Sequence, residues 1–98
     1  MKNLQDIANE IIYYIRQSNI ASSFWYVGIA SDPKTRLFTD HNVQEKSYWI
    51  YRDAGSEENA RAIEKWLVNS YYCQGDTGGG NTSTKYVYAY VVTSTTKE

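Results

Sequence analysis

The segment that most constrains the fold of this chain is the run of residues 26–41. It overlaps residues 24–30, which are rich in aromatic and β-branched side chains, and such a composition predicts a strand. Asp32 and Pro33 follow directly. Because aspartate accepts hydrogen bonds from the amides of a first helical turn, and proline presets the backbone there, they predict a helix over about residues 33–42. A strand that runs directly into a helix is the expected centre of the fold.

The same run carries side chains that can do chemistry. A helix that begins at Asp32 places Leu37 and His41 on one face, with Arg36 offset by one position. Gly28, near the end of the preceding strand, has no side chain, so another backbone or a ligand is expected to approach closely there. The sequence therefore predicts that a site begins where this strand meets this helix.

Residues 3–17 have apolar side chains at helical spacing, with Asn3 as a cap. An isoleucine-rich segment also fits a strand, and the alternative is that residues 11–16 pair with the strand at 24–30. A helix is favoured because the helical pattern extends back beyond residue 11, which a strand would not need. The apolar positions are Leu4, Ile7, Ala8, Ile11 and Ile15.

A second strand and a second clear helix follow. The aromatic-rich residues 47–52 predict the strand, and Ser56 then caps a helix with acidic residues in its first turn. Glu64 flanks the apolar stripe of this helix. Two interpretations of this carboxylate are open. It is an edge group that is paired with an arginine or exposed to water, or it has a functional role. The stripe consists of Ala60, Ile63 and Leu67.

Residues 85–92 have the clearest strand pattern in the chain, because tyrosines alternate with apolar residues. Two explanations of the tyrosine face stay open: it packs against a helix with its hydroxyls at the rim, or it takes part in a site. The tyrosines are Tyr86, Tyr88 and Tyr90, and the opposite face holds Val87, Ala89 and Val91.

The glycine-rich stretch 74–82 precedes this strand. Its residues 75–82 have the spacing of a phosphate-binding loop, but they follow a helix, precede a strand and have Asn81 where the lysine belongs. A tightly turned connection is therefore the favoured interpretation. Contact of its bare amides with an anion stays open.

Composition limits the class of protein. A chain of 98 residues fits a single domain, 1–98, and a formal net charge of −1 gives no overall attraction to phosphates, so a nucleic-acid site would be a local patch. No apolar run is long enough to span a membrane, and the single cysteine excludes an intrachain disulfide. We expect a cytoplasmic α+β protein without a membrane partner, with a small three-stranded, mainly antiparallel sheet flanked by three helices.

The motif Tyr26-Val27-Gly28, followed by Arg36 and His41, resembles the second signature of the GIY-YIG nuclease family. In that family a Tyr-Ile-Gly strand precedes a helix that bears an arginine and, a turn later, a histidine. The metal-binding glutamate of the family lies on a later helix, and Glu64 matches its position. The resemblance covers residues 24–67.

The first signature of the family, a Gly-Ile-Tyr strand before Tyr26, lacks its glycine here. The nearest candidate by position is the isoleucine-rich segment 11–15. A second hypothesis is that the strand at 85–92 lies beside the strand at 24–30, so that Tyr88 or a neighbour supplies the absent tyrosine.

The resemblance implies hydrolysis of phosphodiester bonds in nucleic acid, with one Mg²⁺ or Mn²⁺ ion held by Glu64. Arg36 would grip phosphate oxygens, Tyr26 or the second tyrosine would orient or deprotonate the attacking water, and His41 would assist proton transfer. The candidate binding residues are Gly28, Lys34 and Asn81.

Two other classes of function stay open. One is a binding module for a nucleotide, nucleic acid or a protein, which the missing glycine, the acidic balance and the lack of a basic DNA-binding segment favour. The other is a self-associating structural protein that buries aromatic surface in a homodimer. Convergence of Tyr26, Arg36, His41 and Glu64 around an open groove would favour the enzyme.

Overall fold

The computed structural model describes residues 3–71, 73–75 and 84–96. Within these ranges the chain forms three α-helices and a four-stranded sheet. In chain order the elements are α1 (Leu4–Gln17), a 3₁₀ turn (Ser22–Phe24), β1 (Trp25–Ala30), α2 (Pro33–Thr35) with a π-helical continuation (Arg36–Asp40), β2 (Trp49–Asp53), α3 (Glu57–Ser70), β3 (Gln74–Gly75) and β4 (Tyr86–Val91).

The first helix decides between the two interpretations of the N-terminal segment. α1 is helical throughout, and the side chain of Asn3 accepts a hydrogen bond from the amide of Asp6 at 2.8 Å. Ile7, Ile11 and Ile15 are buried along one face of α1. The helix prediction is confirmed, and the alternative of a strand over residues 11–16 is wrong.

The sheet has one strand more than predicted. Its order is β2-β4-β1-β3, with β4 antiparallel to both of its neighbours and β3 parallel to β1. The prediction of three strands in a mainly antiparallel sheet is wrong in this detail, whereas the α+β class is confirmed. The reason is that β3 has only 2 residues, Gln74 and Gly75, which is too short to produce an alternating pattern.

The two faces of the sheet bury different residues. One face packs against α1 and α3, mainly through aliphatic side chains, and Trp25 also lies on this face. The other face is aromatic: Tyr88 and Tyr90 of β4 pack with Leu37 of the π-helical segment. Within the described ranges, no helix has the length and apolar character that a membrane crossing would require.

Candidate active site

The pairing of β1 with β4 positions the tyrosines of the aromatic face. Tyr90 lies opposite Tyr26, and Tyr88 lies opposite Gly28. The expectation that the last strand lies beside residues 24–30 is therefore confirmed. The ring of Tyr88 occupies the space above Gly28, where a Cβ would come within 2.6 Å of Tyr88 Cζ. A close approach at Gly28 is present, but it is made by this ring and not by the backbone or ligand that the sequence predicted.

His41 lies between the hydroxyls of two tyrosines. Its Nε2 is 2.7 Å from the hydroxyl of Tyr88, and its Nδ1 is 3.0 Å from the hydroxyl of Tyr90. The ring of Tyr26 lies 5.1 Å from the imidazole and stacks on Tyr90 at 5.4 Å. Tyr26 is half-buried, whereas His41 is 7% exposed. We call Tyr26, His41, Tyr88 and Tyr90 the tyrosine–histidine cluster.

The helical run after β1 places His41 in this cluster. The predicted cap is present, since Asp32 accepts hydrogen bonds from the amide and hydroxyl of Thr35 at 3.3 and 2.8 Å. The run then widens into π-helical turns and ends at His41, whose amide donates to Arg36 O at 2.9 Å. Asn42 follows in the left-handed conformation, with φ of 55°, which asparagine tolerates. The run thus ends at His41, whose imidazole contacts Tyr88 and Tyr90.

Arg36 lies on the solvent side of the cluster. Its side chain is 52% exposed and forms an ion pair with Asp40 at 3.2 Å. It also lines a cavity of about 390 Å³ at the end of β1, together with Asp32, Thr35 and Thr84. Exposed ion pairs of this kind contribute little to stability, so a phosphate could replace Asp40 at small cost. Lys34 is exposed on the same short helix.

Glu64 is buried on α3, at 1% exposure. The interpretation as an edge group exposed to water is therefore wrong. The apolar neighbours Ala60, Ile63 and Leu67 belong to the core between α3 and the sheet, as the sequence predicted. Glu64 is also close enough for its charge to act on Tyr88.

Burial raises the pKa of Tyr88 well above the usual range of tyrosine. The positive charge of Arg36 opposes this shift, while Tyr26, Glu64 and Asp40 add to it. The phenolate of Tyr88 is thus strongly disfavoured, and its hydroxyl is a proton donor and acceptor within a hydrogen-bonded system.

The structure brings Tyr26, His41 and Tyr88 together on the aromatic face of the sheet, with Arg36 on its solvent side. The charges of Arg36 and Glu64 act on Tyr88, but Glu64 lies on α3, which packs against the opposite face. The sequence interpretation did not identify Tyr90 as a site residue, although its alternation with Tyr88 placed both on one face. Asn81 and most of the glycine-rich loop lie outside the described residues, so the favoured turned connection and the alternative of an anion contact both stay open.

The residues around Glu64 bear on the predicted Mg²⁺ or Mn²⁺ ion. In the part of the chain that the structure describes, no group of three or more His, Cys, Asp or Glu side chains could hold a metal. A single carboxylate fits Mg²⁺ nevertheless, because this ion keeps most of its water ligands. The donor chemistry of Glu64 suits the ion, but at 1% exposure this carboxylate would have to become accessible before an ion with its water ligands could reach it.

Known proteins do not identify this arrangement. No protein-family model matches the chain, and neither a curated protein nor a solved structure matches it. Its resemblance to the GIY-YIG nucleases thus stays a hypothesis that rests on the residues themselves.

Proposed function

We propose that this chain is a GIY-YIG-like domain that hydrolyses phosphodiester bonds in nucleic acid with a divalent metal ion. The observation that carries the proposal is the pairing of β4 with β1. It completes the tyrosine–histidine cluster on one face of the sheet, at the foot of the helical run that bears Arg36. A general base beside a guanidinium suits phosphodiester hydrolysis, because the base activates the water and the guanidinium stabilises the charge on the phosphate.

In this proposal Tyr88 relays a proton. As the attacking water gives a proton to the hydroxyl oxygen of Tyr88, the hydroxyl proton of Tyr88 passes to Nε2 of His41, 2.7 Å away. The new hydroxide forms a bond to phosphorus, and the bond to the leaving alkoxide breaks. Because the phenolate of Tyr88 is disfavoured by burial, a coupled transfer is the route that avoids it.

Arg36 and Tyr26 face the substrate. The guanidinium of Arg36 exchanges Asp40 for two phosphate oxygens and stabilises the charge that grows on them. Tyr26, which is the half-buried member of the cluster, orients the attacking water. Glu64 would hold the divalent ion, which supplies Lewis-acid stabilisation of the phosphate and the leaving oxygen.

Cleavage of supercoiled and branched DNA with Mg²⁺ or Mn²⁺ tests this function. We expect Glu64→Gln and Arg36→Ala each to lower the rate by about 100-fold or more. Glu58→Gln, an exposed acidic residue of the same helix, and Arg52→Ala, an arginine paired with Glu10 at 2.8 Å, are matched controls that should cut normally. A folded wild-type protein that cuts none of these substrates would contradict the proposal.

Metal binding is tested separately from cleavage. We expect Mn²⁺ to bind the wild-type protein, detected by loss of the free-ion electron paramagnetic resonance signal. Glu64→Gln should not take up the ion, while Glu58→Gln should. Equal uptake by wild type and Glu64→Gln would remove Glu64 as the ligand.

A second candidate is a module that binds nucleic acid without cutting it. Its support is that Tyr88 and Glu64 are 2% and 1% exposed, so neither group faces solvent. The same sheet face carries half-buried aromatic rings on β2: Trp49 and Tyr51 lie parallel within 7°, and Phe38 braces Trp49 edge-on at 5.1 Å. Such rings suit the stacking of unpaired bases.

Binding of a labelled single-stranded oligonucleotide tests this second candidate. Trp49→Ala should weaken binding by about 1 to 3 kcal/mol, as expected for the loss of one stacked base. Trp66→Ala, on α3, is the control, because Trp66 packs on the other side of the sheet. Equal affinities for the two variants would exclude the β2 surface.

A further inference from the structure

The imidazole of His41 is held at both nitrogens by phenol hydroxyls of one strand. Tyr88 and Tyr90 are two residues apart on β4, and their rings lie parallel within 8° at 6.4 Å. The hydroxyl of Tyr88 meets Nε2 and the hydroxyl of Tyr90 meets Nδ1. A neutral imidazole has one donor and one acceptor nitrogen. One of these hydroxyls therefore donates to the ring, and the other accepts from it.

Both distances lie within the range of either kind of hydrogen bond, and their difference favours one assignment. The contact of Nε2 with Tyr88 is 2.7 Å long, which is typical of a bond donated by a hydroxyl. The contact of Nδ1 with Tyr90 is 3.0 Å long, which is typical of a bond donated by N–H. A phenol hydroxyl can donate or accept, so both tautomers satisfy both hydrogen bonds. The shorter contact favours Tyr88 as the donor to Nε2, with Nδ1–H as the donor to Tyr90.

We propose that Tyr90 is a positioning residue that holds His41 as the Nδ1–H tautomer, which makes Nε2 the acceptor for the hydroxyl proton of Tyr88. The tautomer is part of the proposal and can be tested without catalysis, whereas its role in proton transfer rests on the proposed function. When Nε2 receives the proton of Tyr88, the ring becomes a cation with both nitrogens protonated, and the Tyr90 oxygen still accepts from Nδ1–H.

The packing of Tyr90 restricts it to this role. Its side chain is 0% exposed and stacks with the half-buried ring of Tyr26. A buried hydroxyl is costly without a hydrogen bond, and the ring nitrogen of His41 supplies one. The ring nitrogen that carries a proton is set by the partner of the other nitrogen. Tyr90 acts on the reaction through His41.

Nitrogen NMR of the imidazole tests the tautomer directly. His41 is the only histidine of the chain, so its ring signals are unambiguous. Long-range ¹H–¹⁵N correlation spectra of the wild-type protein, at the alkaline end of a titration from pH 5 to 9, should show the proton on Nδ1. A wild-type spectrum with the proton on Nε2 would overturn the proposal, and this measurement needs no variant.

Variants then test the role of Tyr90. In Tyr90→Phe the ring should shift toward the Nε2–H tautomer or a mixture, whereas Tyr88→Phe should keep Nδ1–H. Tyr86→Phe is the matched control, because Tyr86 lies on the same face of β4 but packs against Tyr51. An unchanged tautomer in folded Tyr90→Phe would exclude a positioning role.

Cleavage kinetics separate this inference from the proposed function. Tyr90→Phe should lower kcat by about 10- to 100-fold, leave KM unchanged and alter the pH profile of kcat, because part of the general-base contribution is lost. Tyr86→Phe should retain the wild-type profile. If wild type shows the Nδ1–H tautomer but cuts no DNA, the proposed function fails while the assignment of Tyr90 stands. If Tyr90→Phe cuts normally, the positioning role is wrong.

Discussion

Gly28 shows how much a single residue decides in this molecule. The ring of Tyr88 lies where a side chain at position 28 would be, with Cζ and Cε2 at 2.6 and 3.0 Å from a Cβ placed there. The same tyrosine reaches His41 with its hydroxyl. The absence of one side chain on β1 therefore permits the hydrogen bond from which the candidate site is built.

We expect Gly28→Ala to destabilise the protein by about 1 to 3 kcal/mol, because the added methyl group displaces the ring of Tyr88. Urea unfolding measures this change. In a Tyr88→Leu background, which lacks the ring, the same substitution should cost less. An equal cost in both backgrounds would show that the Tyr88 ring is not the obstacle.

Cys73 predicts how stability changes at high pH. Burial raises the pKa of this thiol to about 11 from 9.0. As the pH rises, the unfolded chain loses the thiol proton before the folded chain does. The free energy of unfolding should therefore fall by about 1.4 kcal/mol per pH unit between these two pKa values. Below pH 9 the stabilisation by the protonated thiol is fully present. Urea unfolding across this range measures the slope.

Cys73→Ala is the control for that slope. It should unfold with a flatter pH dependence over the same range, whatever its absolute stability. Tyr88, whose pKa burial also raises, adds a further fall in stability above about pH 10, which both proteins share. Identical slopes for the two proteins would contradict the prediction.

Among the larger elements, α3 illustrates what local sequence controls. Ser56 caps it by accepting a hydrogen bond from the amide of Asn59 at 3.1 Å. We expect Ser56→Ala to lower the free energy of unfolding by about 1 kcal/mol, because one amide of the first turn loses its partner. Ser70→Ala, at the exposed far end of α3, should have little effect in the same urea experiment. Equal losses would argue against capping.

The sheet predicts a difference between two tyrosine amides that lie opposite each other. Tyr88 of β4 has neighbouring strands on both sides, whereas Tyr51 lies on the edge strand β2. Between β2 and β4, the pairs Tyr48–Val91 and Ala54–Lys85 are hydrogen-bonded. Hydrogen-bonded and non-hydrogen-bonded pairs alternate along an antiparallel ladder, so the pair Tyr51–Tyr88 is not hydrogen-bonded. The amide of Tyr51 therefore points away from β4.

We expect the amide of Tyr88 to exchange with deuterium at least about 100-fold more slowly than that of Tyr51, because a central strand opens only when the sheet does. Residue-resolved hydrogen exchange by NMR measures both. Similar protection of the two amides would contradict the strand order.

For the whole molecule, the sheet couples its two cores. β4 contributes Val87 and Ala89 to the aliphatic core and Tyr88 and Tyr90 to the aromatic one. We therefore expect one cooperative unfolding transition, with far-ultraviolet and near-ultraviolet circular dichroism changing at the same denaturant concentration. Separate midpoints would show that the aromatic core unfolds by itself.

Local patterns were sufficient for the longer elements. The alternation at 85–92, the apolar spacing at 3–17 and the Asp32-Pro33 pair each predicted an element that the structure contains. β3 was missed because two residues carry no periodicity. The burial of Glu64 was missed because a position beside an apolar stripe does not say how closely the sheet approaches.

The sequence by itself determined which residues form the longer helices and strands, and which of their side chains share a face, because these properties depend on neighbours within a few positions. Tertiary structure decided that β4 inserts between β1 and β2, since strand pairing joins residues far apart in the chain. That pairing places Tyr88 over Gly28 and Tyr90 against His41. The hydrogen-bonded cluster exists only through these long-range contacts, and no local pattern encodes them.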